Sequence, residues 1–172
     1  MRRLSLIALS LLAGAAPSGY SAPNSTVSRA DPAGATRGIT MKHHAKGAFD
    51  VKLQKLEAYN NDEGAGLGRM SIDKQFHGDL EATSKGEMLH AGNAKDSGGY
   101  VAVERVTGSL QGKKGSFSLQ HNATMTRGTP YLNIIVVPGS GTDELKDLAG
   151  ALKIIIAEGG KHYYEFDYEL TD

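Results

Sequence analysis

Glu104 is the residue in this 172-residue chain with the clearest chemical promise. It sits in a segment where every second residue is apolar or small (Tyr100, Ala102, Val106, Gly108, Leu110), and it shares their parity. A turn centred on Gly112–Gly115 sets Leu110 opposite Phe117, and so Val106 opposite His121 and Glu104 opposite Ala123. A turn near Lys95–Ser97 sets Met88 opposite Glu104 and His90 opposite Ala102. His90 and His121 are then both diagonal neighbours of Glu104, about 7–8 Å away at Cα and within reach of long side chains. A carboxyl buried among apolar groups has a raised pKa, and a nearby histidine offsets the rise. Such a pair can move a proton in general acid–base chemistry. Lys74, Tyr100, Tyr164 and Tyr168 also fall on inward positions, where they could orient a ligand. A plainer reading competes: a structural Glu–His pair inside a core, or a carboxylate neutralised by Lys74.

Other chemistries are excluded or unsupported. The chain has no Cys, so disulfides, thiolate metal sites, iron–sulfur clusters and cysteine nucleophiles are ruled out. His43 and His44 are adjacent, but neighbours on a strand face opposite sides and cannot chelate together. No two histidines are spaced i, i+2, so no metal site is expected. No Gly-x-Ser-x-Gly elbow is present. No cofactor is expected. With 19 basic and 19 acidic residues, the formal net charge is zero, which argues against nucleic acid as a partner.

The elements that must position these groups are strands. From Met41 onward the apolar period is two: Ala45, Phe49, Val51, Leu53; then Met70, Ile72, Phe76, Leu80; then Phe117, Leu119, Ala123, Met125; and finally Tyr164, Phe166, Tyr168, Leu170. Half-buried antiparallel strands produce this alternation. Parity runs unbroken from Met70 to Met88 across Gly78 and Gly86, as in one long bent strand or two that run on. Turn residues cluster at Asp96-Ser97-Gly98-Gly99, Gly112-Lys113-Lys114-Gly115, Arg127-Gly128 and Pro138-Gly139-Ser140-Gly141. Thr142–Leu148 is the one helical stretch, with Thr142 as its cap and two acids at its start. These elements predict an all-β fold, a closed antiparallel β-barrel of seven or eight strands with one short helix. Ile135, Val137 and Ile155 extend apolar character to both faces of their strands, which calls for a cover: the helix, or a second subunit of a homo-oligomer.

Residues 1–21 read as a secretory signal peptide: Met1-Arg2-Arg3, an apolar run from Leu4 to Ala16, and a small-x-small cleavage site after Ser21. The run is too short to span a membrane comfortably, so no transmembrane domain is expected after cleavage, and the location is periplasmic or secreted. Residues 22–39 read as a flexible linker and residues 40–172 as the barrel domain.

Three stretches carry a resemblance: Phe76-His77-Gly78-Asp79-Leu80-Glu81-Ala82-Thr83-Ser84, the run from Val103 to His121 with its Gly-x-Leu-x-Gly-x-x-Gly-x-Phe pattern, and Val137-Pro138-Gly139-Ser140-Gly141-Thr142-Asp143-Glu144-Leu145. In this order they resemble the bacterial domain-of-unknown-function family 3224, over about Thr40 to Leu170. The resemblance implies a barrel like that of allene oxide cyclase and carries over no catalytic residues. Three functions fit. The first is a barrel that binds a small, largely apolar molecule, with His90, Tyr100, Lys74, Tyr164 and Tyr168 as ligand-binding residues. The second is a cofactor-free cyclase or isomerase with Glu104 and His121 as acid and base. The third is a non-catalytic envelope or stress protein acting as an oligomer.

Overall fold

The computed structural model describes residues 40–60, 62 and 66–171; the segments read as signal peptide and linker lie outside them. Eight strands follow one another: β1 (Thr40–Leu56), β2 (Leu67–Gly78), β3 (Leu80–Ala94), β4 (Ser97–Leu110), β5 (Lys113–Thr126), β6 (Thr129–Val136), β7 (Ala149–Ile156) and β8 (His162–Thr171). Each pairs antiparallel with the next, and β8 returns to β1, so the sheet closes into an eight-stranded barrel. The closure is uneven: β6 and β7 share one pairing, Ile135 with Ala151, whereas β3 and β4 pair along most of their length. Among the described residues, no helix is long and apolar enough to cross a membrane.

Inward parity holds as the alternation predicts, but two hairpins sit in a different register. The β4–β5 turn is the two-residue Gln111-Gly112, not Gly112–Gly115. Both of its residues have positive φ (46° and 88°), the backbone of a tight hairpin turn that needs glycine or a tolerant polar residue. Leu110 therefore faces Lys113, Val106 faces Phe117, and Glu104 faces Leu119. At the β3–β4 hairpin Glu104 faces Gly86, and Met88 faces Ala102. There the two-residue Lys95-Asp96 turn alone would reverse parity; a bulge between Ala91 and Ala94 restores it. Because both shifts are even, every side chain keeps its face while its cross-strand partner changes. The stretch from Met70 to Met88 is neither one bent strand nor two that run on. It folds back on itself at Gly78-Asp79, and Phe76 pairs with Ala82 around that centre, which preserves parity.

The predicted helix at Thr142–Leu148 is also corrected. It is a single 3₁₀ turn, Asp143–Leu145, and Asp143 takes a positive φ of 52°. Thr142 does not cap it: its hydroxyl accepts from Ser116 N at 3.1 Å, and its amide donates to Ser116 O at 2.9 Å. Arg105 grips the same strap by donating to Ser140 O at 2.6 Å. With its polar groups committed to β5, the strap turns Leu145 and Leu148 into the barrel as a plug. It leaves Ile155 exposed, while Ile135 and Val137 are half-buried.

The interior divides in two. Towards the plug, Phe76, Phe117, Phe166, Tyr164 and Tyr168 pack with Leu80, Leu110 and Leu119. Towards the other end, Ile72, Met88, Tyr100, Ala102 and Ala123 form a smaller cluster, rimmed by the partly buried Leu53, Met70, Met125 and Leu132. Phe117 is 1 % exposed and stacks on Phe166 with ring centroids 5.8 Å apart. Phe117→Ala is expected to cost ~3–5 kcal/mol in chemical denaturation. A change under ~0.5 kcal/mol would contradict its place in the core.

Candidate functional site

Four polar side chains meet inside the barrel where the two apolar clusters adjoin. Lys74, Ser84, Glu104 and His121 come from β2, β3, β4 and β5, and are 8, 2, 1 and 3 % exposed. Glu104 is the hub. Its Oε1 accepts from Lys74 Nζ at 2.6 Å and pairs with His121 Nε2 at 2.8 Å, while its Oε2 accepts from Ser84 Oγ at 2.5 Å. His121 stands opposite Ala102 and so lies diagonal to Glu104, as expected, although through a different register. Ser84 is diagonal on the other side, because Glu104 faces Gly86. A Cβ at Gly86 would lie 2.3 Å from Val103 O and 2.6 Å from Glu104 Cα, so only glycine lets β3 approach β4 this closely.

The charge state follows from these contacts. Burial pushes the Glu104 carboxyl up, but the Lys74 ammonium, together with the hydrogen bonds from His121 and Lys74, outweighs it and holds the group down at about 2 against an ordinary 4.5. Lys74 Nζ also lies 5.2 Å and 5.6 Å from the ring centroids of Phe49 and Phe76, placing the cation over two aromatic faces. Burial pushes His121 below its ordinary 6.5, and the Lys74 charge adds to the fall, against the pull of Glu104. The resting arrangement is thus an ammonium–carboxylate pair beside a neutral imidazole. With Glu104 ionised and acceptor-only, His121 Nε2 must carry the ring proton, leaving Nδ1 as an unprotonated base. The proton-accepting group here is His121; Glu104 orients it.

Above this network lies a cavity of about 30 Å³, space on the order of a water molecule or two. Phe49, Val51, Leu53, Ile72, Met88 and Ile154 wall it together with Lys74, Tyr100 and His121, and nearly all of the surface turned to it is apolar. Burial, then the charge of Glu104, raises the Tyr100 phenol above its ordinary 10.0 and keeps it protonated. A larger groove of about 450 Å³ is lined by Ala48–Val51 of β1, His77 and the segment 160–163, and shares Phe49 and Val51 with the inner cavity. His162 lines this groove; its Nε2 is buried without a hydrogen-bond partner among the described residues.

The structure thus brings Lys74, Tyr100, Glu104 and His121 together, and separates the other three residues singled out from the sequence. His90 faces Tyr100 across β4 and Gly68 across β2, with its ring lying over Gly68. It is not a neighbour of Glu104; the two-residue shift in register removes it. The Tyr164 hydroxyl accepts from Leu80 N at 2.8 Å and donates to His77 O at 3.2 Å, and burial pushes its pKa up to about 12. Tyr168 donates to Gln111 Oε1 at 2.8 Å. Both tyrosines tie strands to turns near the plug and lie off the cavity wall. Ser84 was missed, although its parity within β3 put it on the inner face.

Glu104→Gln is expected to destabilise the fold by ~3–5 kcal/mol, because it strands the Lys74 charge in the interior. Adding Lys74→Met should recover part of that loss. The wild-type protein should also weaken in acid. Stability present above 6.5 falls as pH drops below that value, since the unfolded His121 binds a proton that the folded one resists. A further loss follows between about 4.5 and about 2, where Glu104 is protonated unfolded but still ionised folded. Urea midpoints measured across this range test both steps, and a flat profile would contradict the assignment.

Comparison with known proteins agrees with the barrel. Among curated proteins, none matches this chain. Among solved structures, it is similar to a protein of unknown function from the DUF3224 family of Shewanella oneidensis MR-1. The two share 47 % identity and a TM-score of 0.71, over 77 % of this chain and 100 % of the other. Residues 45–168 match the pattern of the family described as protein of unknown function (DUF3224), and so the chain belongs to the DUF3224 family.

Proposed function

We propose that this barrel binds a small, largely apolar molecule in the cavity above the Lys74–Glu104–His121 network. The observation that carries this reading is the network itself, fully buried and set directly beneath an apolar-walled space. Apolar side chains of similar volume would fill such a core at equal or lower free energy. A buried ion pair with a neutral imidazole beside it is therefore a cost for the fold and an asset for recognition, because it gives an apolar pocket a few fixed polar atoms. The unliganded cavity is small, so binding requires the rim to give way. Met70, Met88 and Met125 suit that need: methionine is unbranched and repacks readily around a guest. Phe49 and Val51 wall both the cavity and the outer groove, and the way in runs past them.

Residues 1–21 have the pattern of an export signal, which supports a periplasmic or secreted protein that meets its ligand outside the cytoplasm. The resemblance to the DUF3224 family implies a barrel like that of allene oxide cyclase, which agrees with a cavity-based role.

Native mass spectrometry of the chain isolated from its own source tests the reading. The expected spectrum shows a small-molecule adduct that disappears on denaturation. A bare mass in the native spectrum would contradict it.

A further inference from the structure

We infer that the ligand presents to the barrel floor a neutral hydrogen-bond donor, the hydroxyl of an alcohol or phenol, and not a carboxylate. This rests on the cavity being a binding site, as proposed above, and adds the chemical class of the ligand's polar end. The obvious expectation is the reverse, since Lys74 is a cation on the wall of an apolar pocket and looks like an anchor for an acid.

Counting donors and acceptors decides between the two. Glu104 takes three hydrogen bonds on its two oxygens, from Lys74 and His121 on Oε1 and from Ser84 on Oε2. A carboxylate with three donors around it is ionised, and at 2.6 Å it neutralises Lys74 within the floor. The floor as a whole thus carries no net charge. A second carboxylate entering here would be buried with no cation of its own and would face Glu104 across the same ammonium. Burying such a charge costs far more than one shared contact returns. An uncharged hydroxyl meets no such penalty. His121 spends its Nε2 proton on Glu104 and keeps Nδ1 as an acceptor. Lys74 uses one of its three N–H groups on Glu104 and can donate another. A hydroxyl both donates and accepts, so it can satisfy both groups; a hydrocarbon satisfies neither.

Phenol, benzoate and toluene form a matched test set: one ring size, with a neutral donor, an anion and no polar group. The full chain, labelled with ¹³C at its methionine methyls, is titrated with each near pH 7, and the Met88 signal reports occupancy of the cavity. Phenol is expected to bind on the order of tenfold tighter than toluene, the worth of about one hydrogen bond, with benzoate weaker than both. In His121→Phe, which leaves only Lys74 to meet the hydroxyl, the preference for phenol over toluene should fall severalfold while toluene still binds, and an unchanged preference would overturn the inference; His121→Leu gives a second measurement if the first variant folds poorly. Benzoate binding tightest, or phenol and toluene binding equally, would overturn the inference and leave a binding barrel in place. No shift at Met88 with any of the three would overturn the binding reading together with the inference.

Discussion

An ionised carboxylate in the middle of a protein must be surrounded by donors, and the interior of this barrel is arranged to meet that demand at Glu104. The strands β2, β3 and β5 around its own β4 each contribute one donor side chain to it. Lys74 brings the compensating charge, Ser84 occupies the second oxygen, and His121 gives its one proton. Gly86 is the price of the geometry, since no other residue lets β3 lie against Glu104. The network separates the aromatic core towards the plug from the softer, methionine-rimmed end. It thereby marks where tight packing stops and the cavity begins.

The two ends of the barrel follow from how their polar groups are spent. At the plug end hydroxyls and amides are committed: Tyr164 to His77 and Leu80, Tyr168 to Gln111, Thr142 to Ser116, Ser140 to Ser118 and Arg105. At the other end Lys74, Tyr100 and His121 border a small cavity whose wall is almost wholly apolar. An eight-stranded barrel is just wide enough to be filled by its own side chains or to hold one small ligand. This one does the first over most of its length and leaves a cavity of about 30 Å³ where the network lies.

Much of this was legible in the sequence because side-chain parity is a robust signal. Alternation alone assigned Lys74, Glu104, His121 and the tyrosines to the interior, and every one of them is there. Partners across strands were less legible, because register depends on turn length and on bulges that leave little trace in composition. The glycine-rich stretch Gly112–Gly115 masks the true turn Gln111-Gly112, and a single glycine, Gly92, marks the bulge between Ala91 and Ala94. The register read from turn residues alone therefore sets His90 beside Glu104 in place of Ser84, although both residues keep their inward parity. The strap at Thr142 misled for a different reason. Its residues suit a helix cap locally, but tertiary contacts with β5 and Arg105 take the groups that the cap would use.

The charge and tautomer of His121 decide between a recognition floor and an inert ion pair. Imidazole ¹⁵N shifts of His121 in the full chain, recorded near pH 7, measure both directly. A neutral ring protonated at Nε2, beside an ionised Glu104, is the result expected here. A doubly protonated ring, or a neutral ring protonated at Nδ1, would contradict it, because the floor would then carry a different charge and offer a ligand no acceptor.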